Sequence, residues 1–169
     1  YNKIYANIIQ NANDGIYAIG YGNAPIPFTN AEVGKDFGGS SAATGNQILN
    51  FGGATLASQP SSGIQIGAQY NFNIAYNTIN NNTGAGINHA NVLRGIYVNN
   101  SGASASGTIS NNIITLKNAS STSTMELIRT SAITGGTINI LNNTLINCTH
   151  SSTGIFYGIW NDGTEANVN

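Results

Sequence analysis

The feature that most constrains the fold of this chain is a short pattern that occurs four times: Ile, two residues, Asn, one residue, then Ile or Leu. Its copies begin at residues 4, 74, 109 and 140, and a weaker copy runs through Ile48 and Asn50. A second pattern follows each copy: a small residue, Ile, any residue and an apolar residue. It reads GIYA at 15, GIQI at 63, GIYV at 95 and GIFY at 154, while LIRT at 127 has Leu in place of Gly. Each repeat therefore has two short strand segments joined by turns of variable length.

The residue types in these repeats favour strands and tight turns over helices. The 169 residues include 28 Asn, 23 Ile and 21 Gly, but only one Met and 11 charged residues. Branched side chains such as Ile favour strands, whereas Gly, Asn and Ser favour turns. We therefore expect almost no helix. The Ile residues are also too many and too regularly placed for a disordered chain.

A repeat of this size that contains only strands fits a parallel β-helix. A propeller blade needs about four antiparallel strands with hairpin turns in ~40 residues, and the hairpin dipeptide Asn-Gly does not occur here. In a β-helix the coils stack at ~4.8 Å, so that like residues lie over like. An Asn at a recurrent corner tolerates left-handed backbone, and its amide can donate to the Asn of the next coil. The predicted Asn ladder is Asn7, Asn50, Asn77, Asn112 and Asn143.

The runs NNIITL, NNTLIN and NTINNN, together with the GIYV-type runs, resemble the right-handed parallel β-helix, or pectate-lyase-like, repeat proteins. The resemblance covers roughly residues 1–20 and 46–160. With the right-handed crossover rule it implies an all-β, right-handed solenoid of about five coils. The Asn-, Ser- and Thr-rich style is similar to β-helix stretches in large secreted surface proteins of bacteria, notably Bacteroidetes, which often precede a type IX secretion sorting domain. The resemblance therefore implies an extracellular or cell-surface location and a secretion machinery as a partner.

We expect residues 1–169 to form one β-helix segment with loop insertions at 21–45, 80–95 and 99–107. Pro25 and Pro27 exclude a central strand from the first insertion, which is either a solvated excursion or a binding loop on a rigid scaffold. The chain starts at Tyr1 without an initiator Met, and neither end shows a polar cap. We therefore expect a stretch of a longer solenoid, with neighbouring coils or a partner protein covering both ends.

The charged residues give little sign of catalysis. Enzymes of the resembled class cleave polysaccharides with Ca²⁺ held by several carboxylates, or with a pair of carboxylates. The carboxylates here contain no adjacent Asp pair; they are Asp14, Glu32, Asp36, Glu126, Asp162 and Glu165. The sequence therefore predicts no catalytic residue, no metal site and no cofactor. His89 and His150 are interpreted as surface or turn residues, and Cys148 as a small buried hydrophobe.

Strand alternation predicts one candidate binding surface. We take the inward stack to be Ile16, Ile64, Ile96, Ile128 and Ile155. The residues that follow them then point outward in one column, which is Tyr17, Gln65, Tyr97, Arg129 and Phe156. Aromatic and Arg side chains at ~4.8 Å spacing either present a stacking surface for sugar rings or pack on each other and stiffen the sheet. The same alignment places Arg94 over Glu126 as an ion pair between coils.

Three functions fit these observations. The first is a structural or adhesive segment of a secreted or cell-surface protein that contacts a polysaccharide or a cell-surface glycan. The second is a polysaccharide lyase or hydrolase whose catalytic residues lie mostly outside this segment, and the third is a carbohydrate-binding module without turnover. A net charge of −1 without a basic cluster argues against a nucleic acid partner. No apolar run approaches the ~18 residues of a transmembrane segment.

Overall fold

A computed structural model shows an all-β parallel solenoid, a β-helix of about four turns. The structure describes residues 1–22, 30–53, 59–100, 106–119, 122–132, 136–151, 153–163 and 167–168. Three parallel sheets, which we call A, B and C, run along the solenoid, and the chain visits them in that order in each turn. The predicted fold class is confirmed, and the expected five coils were a slight overcount.

Most strands have two to four residues, and every strand pair within the described residues is parallel. Sheet A comprises β1 (Lys3–Ile4), β5 (Asp36–Phe37), β9 (Phe72–Ala75), β12 (Gly107–Ser110), β16 (Thr137–Leu141) and β20 (Asn167–Val168). Sheet B comprises β2 (Ile8–Gln10), β6 (Gln47–Leu49), β10 (Thr78–Asn80), β13 (Ile113–Thr115) and β17 (Thr144–Leu145). Sheet C comprises β3 (Ile16–Ile19), β7 (Ser61–Gly67), β11 (Leu93–Asn100), β15 (Met125–Ala132) and β19 (Phe156–Asn161).

Smaller elements lie at the corners between these sheets. Two two-stranded sheets pair β4 (Glu32–Val33) with β8 (Gln69–Tyr70), and β14 (Lys117–Asn118) with β18 (Thr149–His150). One 3₁₀ helix spans Ala85–Asn88. Within the described residues, no helix is long and apolar enough to cross a membrane.

Like residues stack on like residues inside the solenoid. In sheet A the inward stack is Ile4, Phe37, Ile74, Ile109 and Ile140. In sheet B it is Ile9, Ile48, Ile79, Ile114 and Leu145. The middle members of both stacks are fully buried. Burying such a side chain contributes about 1.5–3 kcal/mol relative to leaving it exposed, and the buried side chains of sheet C add the largest further part of the apolar core.

The inward stack of sheet C differs from the predicted one at its last position. Ile16, Ile64, Ile96 and Ile128 lie side by side in the register of adjacent strands, but the partner of Ile128 is Ile159. The prediction of Ile155 was therefore wrong. The dipeptide Gly-Ile occurs twice within six residues, at 154 and at 158. The first copy lies just before β19. Its Ile155 carbonyl accepts a hydrogen bond from the backbone N–H of Met125 at 2.8 Å.

The Asn ladder is present, with one member different from the prediction. The side-chain Nδ2 of each member donates to Oδ1 of the next at 2.9–3.0 Å, through Asn7, Asn46, Asn77, Asn112 and Asn143. The same Oδ1 atoms also accept backbone N–H groups of the preceding members at 2.9–3.1 Å. The prediction of Asn50 was therefore wrong, because Asn46 occupies this position.

The Ile-based pattern did not identify Asn46 because the second turn has a different spacing. In the other turns the inward residue of sheet A precedes the ladder Asn by three positions, but Phe37 precedes Asn46 by nine. The spacing after the ladder is constant, since Asn46 is followed at the second position by Ile48, as the pattern requires. Asn50 instead lies at the next corner, where its backbone is left-handed (φ 49°) and its Nδ2 donates to Asn11 at 2.6 Å.

The predicted loop insertions are only partly loops. Within 21–45, β4 and β5 are strands, and Phe37 of β5 is fully buried in sheet A. The prediction of a loop was therefore wrong for 32–33 and 36–37, whereas 38–45 contains no strand and lengthens this turn; Pro25 and Pro27 lie outside the described residues. Within 80–95 the chain forms the 3₁₀ helix and then begins β11 at Leu93. Of 99–107, residues 99–100 end β11 and Gly107 begins β12, while 101–105 are not described.

Candidate functional site on the outward face of sheet C

The outward face of sheet C carries two neighbouring columns of side chains in register between coils. The ring column is Tyr17, Gln65, Tyr97, Arg129 and Trp160. The charge column is Asp14, Ser62, Arg94, Glu126 and Tyr157. Asp14 joins it just before β3, where its Oδ1 accepts the backbone N–H of Ser62 at 2.7 Å. We call the two columns together the sheet C face.

The ring column contains four of the five residues that the sequence predicted for it. The fifth, Phe156, was wrong: it lies opposite Met125, whereas Trp160 lies opposite Arg129. This error follows from the choice of Ile155 over Ile159, since the outward residue directly follows the inward one. The strand register shows that the residues of the ring column lie side by side. That these residues bind a ligand stays a prediction.

Arginine and aromatic side chains alternate over the last three coils of the sheet C face. The guanidinium carbon of Arg94 lies 4.5 Å from the ring centroid of Tyr97. That of Arg129 lies 5.0 Å from Tyr97 and 4.1 Å from Trp160. Trp160 in turn stacks on Tyr157 with a centroid distance of 4.6 Å. Cation–π contacts contribute about 0.5–1 kcal/mol each at exposed sites and more when desolvated, so this cluster ties the coils together.

Carboxylates neutralise both arginines of the sheet C face. Glu126 is only 2% exposed, and its Oε2 accepts Nε of Arg94 at 2.7 Å, so the predicted ion pair between coils is confirmed. Nη1 of Arg129 lies 3.2 Å from Oε1 of Glu126, and Nη2 of Arg129 binds Asp162. Burial opposes the charge on Arg129, but its contacts with Asp162 and Glu126 outweigh burial and raise the pKa of its guanidinium.

Only part of the ring column is open to solvent. Tyr97 is 9% exposed, and burial raises the pKa of its hydroxyl although two arginines lie beside it. Tyr17 in contrast is 63% exposed. Gln65 lies next to Tyr17 in the ring column, and its Oε1 accepts a hydrogen bond from Ser62 Oγ at 3.3 Å. Its Nε2 has no hydrogen-bond partner among the described residues. The accessible aromatic surface therefore lies at the Tyr17 end and around the partly exposed Trp160.

A cavity of about 400 Å³ lies at the corner through which the chain enters sheet C. Its walls carry amide side chains and small residues and no charged side chain; they are Asn11, Ala12, Asn13, Asn50, Gly52, Gly53, Ala85 and Gly86. The cavity adjoins the sheet C face, because Nδ2 of Asn13 donates to Asp14 at 3.0 Å. Sequence reasoning missed this cavity, since it is built by corners of three separate turns.

The carboxylates away from the sheet C face are engaged within the fold. The Asp36 carboxylate accepts hydrogen bonds from the Tyr5 hydroxyl, the Gly39 N–H and Nδ2 of Asn73. Glu32 pairs with Lys35, which lowers the pKa of its carboxyl. Glu165 lies outside the described residues, within which no group of three or more His, Cys, Asp and Glu side chains comes together as a metal site.

The histidines and the cysteine lie apart from the sheet C face. His89 is fully buried directly after the 3₁₀ helix, so the alternative of a surface residue was wrong and that of a turn residue fits; it packs near Gly52 and Leu93 at the entry to sheet C. His150 is half-buried, with Nε2 2.8 Å from the Ser123 carbonyl oxygen. Cys148 packs against the core but is only partly buried, and its burial raises the pKa of its thiol.

The chain is a parallel β-helix solenoid, and its sheet C face carries aromatic rings stacked with guanidinium groups and carboxylates paired with the arginines. In comparisons with known proteins, no family model, no curated protein and no solved structure matches the chain.

Proposed function

We propose that this chain is a structural and adhesive segment of a secreted or cell-surface bacterial β-helix protein, and that it contacts glycans through the sheet C face. The observation that carries the proposal is the ring column. It joins the coils through stacked rings and guanidinium groups, and it leaves one aromatic ring, Tyr17, largely exposed. An exposed aromatic ring on a rigid sheet is a common means of binding the apolar face of a sugar.

The contacts of the carboxylates on the sheet C face favour adhesion to a glycan over its cleavage by these carboxylates. Acid–base cleavage of a glycosidic bond needs two carboxyl groups on either side of the scissile bond, one to donate a proton and one to act as base or nucleophile. The carboxylates of the sheet C face instead accept hydrogen bonds from its arginines and from Ser62. A lyase or hydrolase would then place its catalytic residues mostly outside this segment.

Apolar side chains on the last described turn support a further part of the proposal, contact with neighbouring coils or a partner protein. The exposed members are Leu141, Ile146, Ile155, Phe156 and Ile159. A strand edge with exposed apolar side chains favours pairing with another strand. A secretion machinery as a further partner rests on the resemblance of the Asn-rich repeats alone.

The test is a binding and cleavage assay on the purified protein. Isothermal titration calorimetry against a panel of soluble plant, algal and bacterial polysaccharides measures affinity, and release of reducing or unsaturated ends, with and without Ca²⁺, measures cleavage. We expect binding without cleavage. Tyr17→Ala should weaken binding about tenfold, which corresponds to ~1.4 kcal/mol, without changing the melting temperature.

Tyr70→Ala is the matched control, because Tyr70 is 40% exposed but lies in β8, outside the sheet C face. Cleavage of a polysaccharide would favour the enzyme alternative. Binding that Tyr17→Ala and Tyr70→Ala weaken equally would place the glycan site elsewhere. A chain that binds no polysaccharide in the panel would contradict the proposal.

A further inference from the structure

We propose that the sheet C face selects uncharged polysaccharides and rejects polyuronates. This inference rests on the proposed function and adds the chemical class of the ligand. A polyuronate presents a carboxylate on each sugar, and a face that binds it needs cations free to pair with those carboxylates. The sheet C face lacks such cations, for reasons set by its own contacts.

The charges beside the ring column are paired, with an excess of negative charge. Three carboxylates lie in or against the face, on Asp14, Glu126 and Asp162, and two guanidinium groups, on Arg94 and Arg129. Within the described residues, no lysine contributes to either column. A carboxylate of a ligand therefore meets net repulsion at the sheet C face.

The guanidinium groups are also closed to a ligand. Arg94 is largely buried and directs Nε to Glu126. Arg129 donates to Glu126 through Nη1 and to Asp162 through Nη2, and its planar group lies within 5.0 Å of two ring centroids. To bind a uronate, either arginine must give up a contact with the buried carboxylate of Glu126, which is unfavourable.

The open part of the face suits hydroxyl groups. The exposed ring of Tyr17 can stack on a pyranose, and Gln65 Nε2 can donate to a hydroxyl beside it. The cavity at the entry to sheet C continues this surface with neutral amides that both donate and accept, from Asn11, Asn13 and Asn50. Amides that hydrogen-bond to hydroxyl groups distinguish sugars by the positions of those hydroxyls, and they need no charge on the sugar.

The experiment compares two neutral and two acidic polymers on the purified protein. The probes are a soluble β-glucan, galactomannan, polygalacturonate and alginate, and the readouts are calorimetry and the fluorescence of Trp160, which is the only tryptophan of the chain. We expect at least tenfold tighter binding of one neutral polymer than of either polyuronate. Its affinity should change less than about twofold between ~20 mM and ~200 mM NaCl, because screening acts on charged pairs.

A charge variant tests the cause of this selectivity. Asp162→Asn removes one carboxylate and releases Nη2 of Arg129, so that affinity for polygalacturonate should rise about tenfold at low salt, with little change for the neutral polymer. Glu32→Gln is the matched control, because it removes the same charge at the β4 corner, where Glu32 pairs with Lys35. Melting temperatures confirm that both variants are folded.

The outcomes separate this inference from the proposed function. Tight binding of a polyuronate by the unmodified protein overturns the selectivity and leaves glycan contact standing. Equal effects of Asp162→Asn and Glu32→Gln also overturn it, since net charge rather than the sheet C face would then set affinity. Binding of none of the four polymers, nor of the wider panel, rejects both proposals.

Discussion

Asn111 and Asn112 are neighbours in the chain, but they serve the corner between sheets A and B in different ways. Asn111 has a left-handed backbone with φ 56° and turns the chain. Asn112 donates Nδ2 to Asn143 Oδ1 at 2.9 Å and to the Ile74 carbonyl at 2.9 Å, and so joins three coils. The same division holds at Asn142 and Asn143, so each of these two asparagine pairs combines a turn residue with a ladder residue.

This division predicts opposite effects of two adjacent substitutions. Asn111→Gly should leave the free energy of unfolding unchanged or raise it slightly, because Gly adopts positive φ without steric cost. Asn112→Ala should lower it by about 2–4 kcal/mol, because the backbone N–H of Asn77 and one N–H of its side-chain amide both lose Asn112 Oδ1 as acceptor inside the fold. Urea denaturation measures both, and similar losses from the two variants would contradict the division.

A second prediction concerns the glycines that precede the inward Ile of sheet C. A Cβ on Gly63 would lie 2.5 Å from Cγ2 of Ile79 and 2.8 Å from the Gly95 carbonyl oxygen. Gly63→Ala should therefore cost about 1–3 kcal/mol through overpacking between sheets B and C. The matched control is Gly158→Ala, since a Cβ there meets no atom within 4 Å. Thermal unfolding compares the two variants, and a stable Gly63→Ala would show that the two sheets can move apart at low cost.

The fold could be predicted from the sequence because like residues stack on like in a solenoid. One Ile pattern therefore repeats in each coil and identifies the core without knowledge of distant contacts. The pattern failed where a coil departs from the common spacing. Eight residues separate Phe37 from Asn46, and β5 has two residues, too few for a period of two to be recognised. The spacing of Asn46 from Ile48 was the signal that could have corrected this position.

The sheet C face could be predicted only in outline. Strand alternation gave four members of the ring column, but two Gly-Ile dipeptides within six residues left the last coil ambiguous, and Trp160, Tyr157 and Asp162 were missed. The coil length after the second turn favoured the later dipeptide, since Ile64 precedes Ile96 by 32 positions, Ile96 precedes Ile128 by 32, and Ile128 precedes Ile159 by 31. The burial of Tyr97 depends on how two arginines fold over it, which no local pattern encodes.

The buried ion pair of the sheet C face gives a third prediction. Glu126→Gln should lower the free energy of unfolding by about 3–5 kcal/mol, because it leaves the largely buried Arg94 without a counter-charge. The double variant Arg94→Met with Glu126→Leu should recover most of this loss, since apolar side chains of similar volume often replace a buried pair at little cost. Urea denaturation of the single and double variants measures the coupling. A double variant no more stable than Glu126→Gln would show that the charges themselves are needed.

The fourth prediction is a loss of stability in weak acid that depends on His89. Burial lowers the pKa of His89 below its ordinary value of 6.5, although the backbone of Val92 and the carboxylate of Asp14 act in the opposite direction. The unfolded chain therefore binds more protons than the folded chain between the folded pKa and about 6.5. Stability from neutral His89 is fully present above about pH 6.5 and is lost as the pH falls toward the folded pKa, with a slope of at most ~1.4 kcal/mol per pH unit.

The measurement is the free energy of unfolding in urea at half-unit steps between about pH 5 and pH 8, for the unmodified protein and for His89→Gln. The variant keeps a polar side chain of similar size but does not titrate, so the difference between the two curves isolates His89 from every other group. We expect that difference to shrink as the pH falls below about 6.5. A difference that stays constant over this range would mean that His89 is protonated equally well in the folded and unfolded chains, and that the entry to sheet C accommodates a buried charge, with Asp14 as its partner.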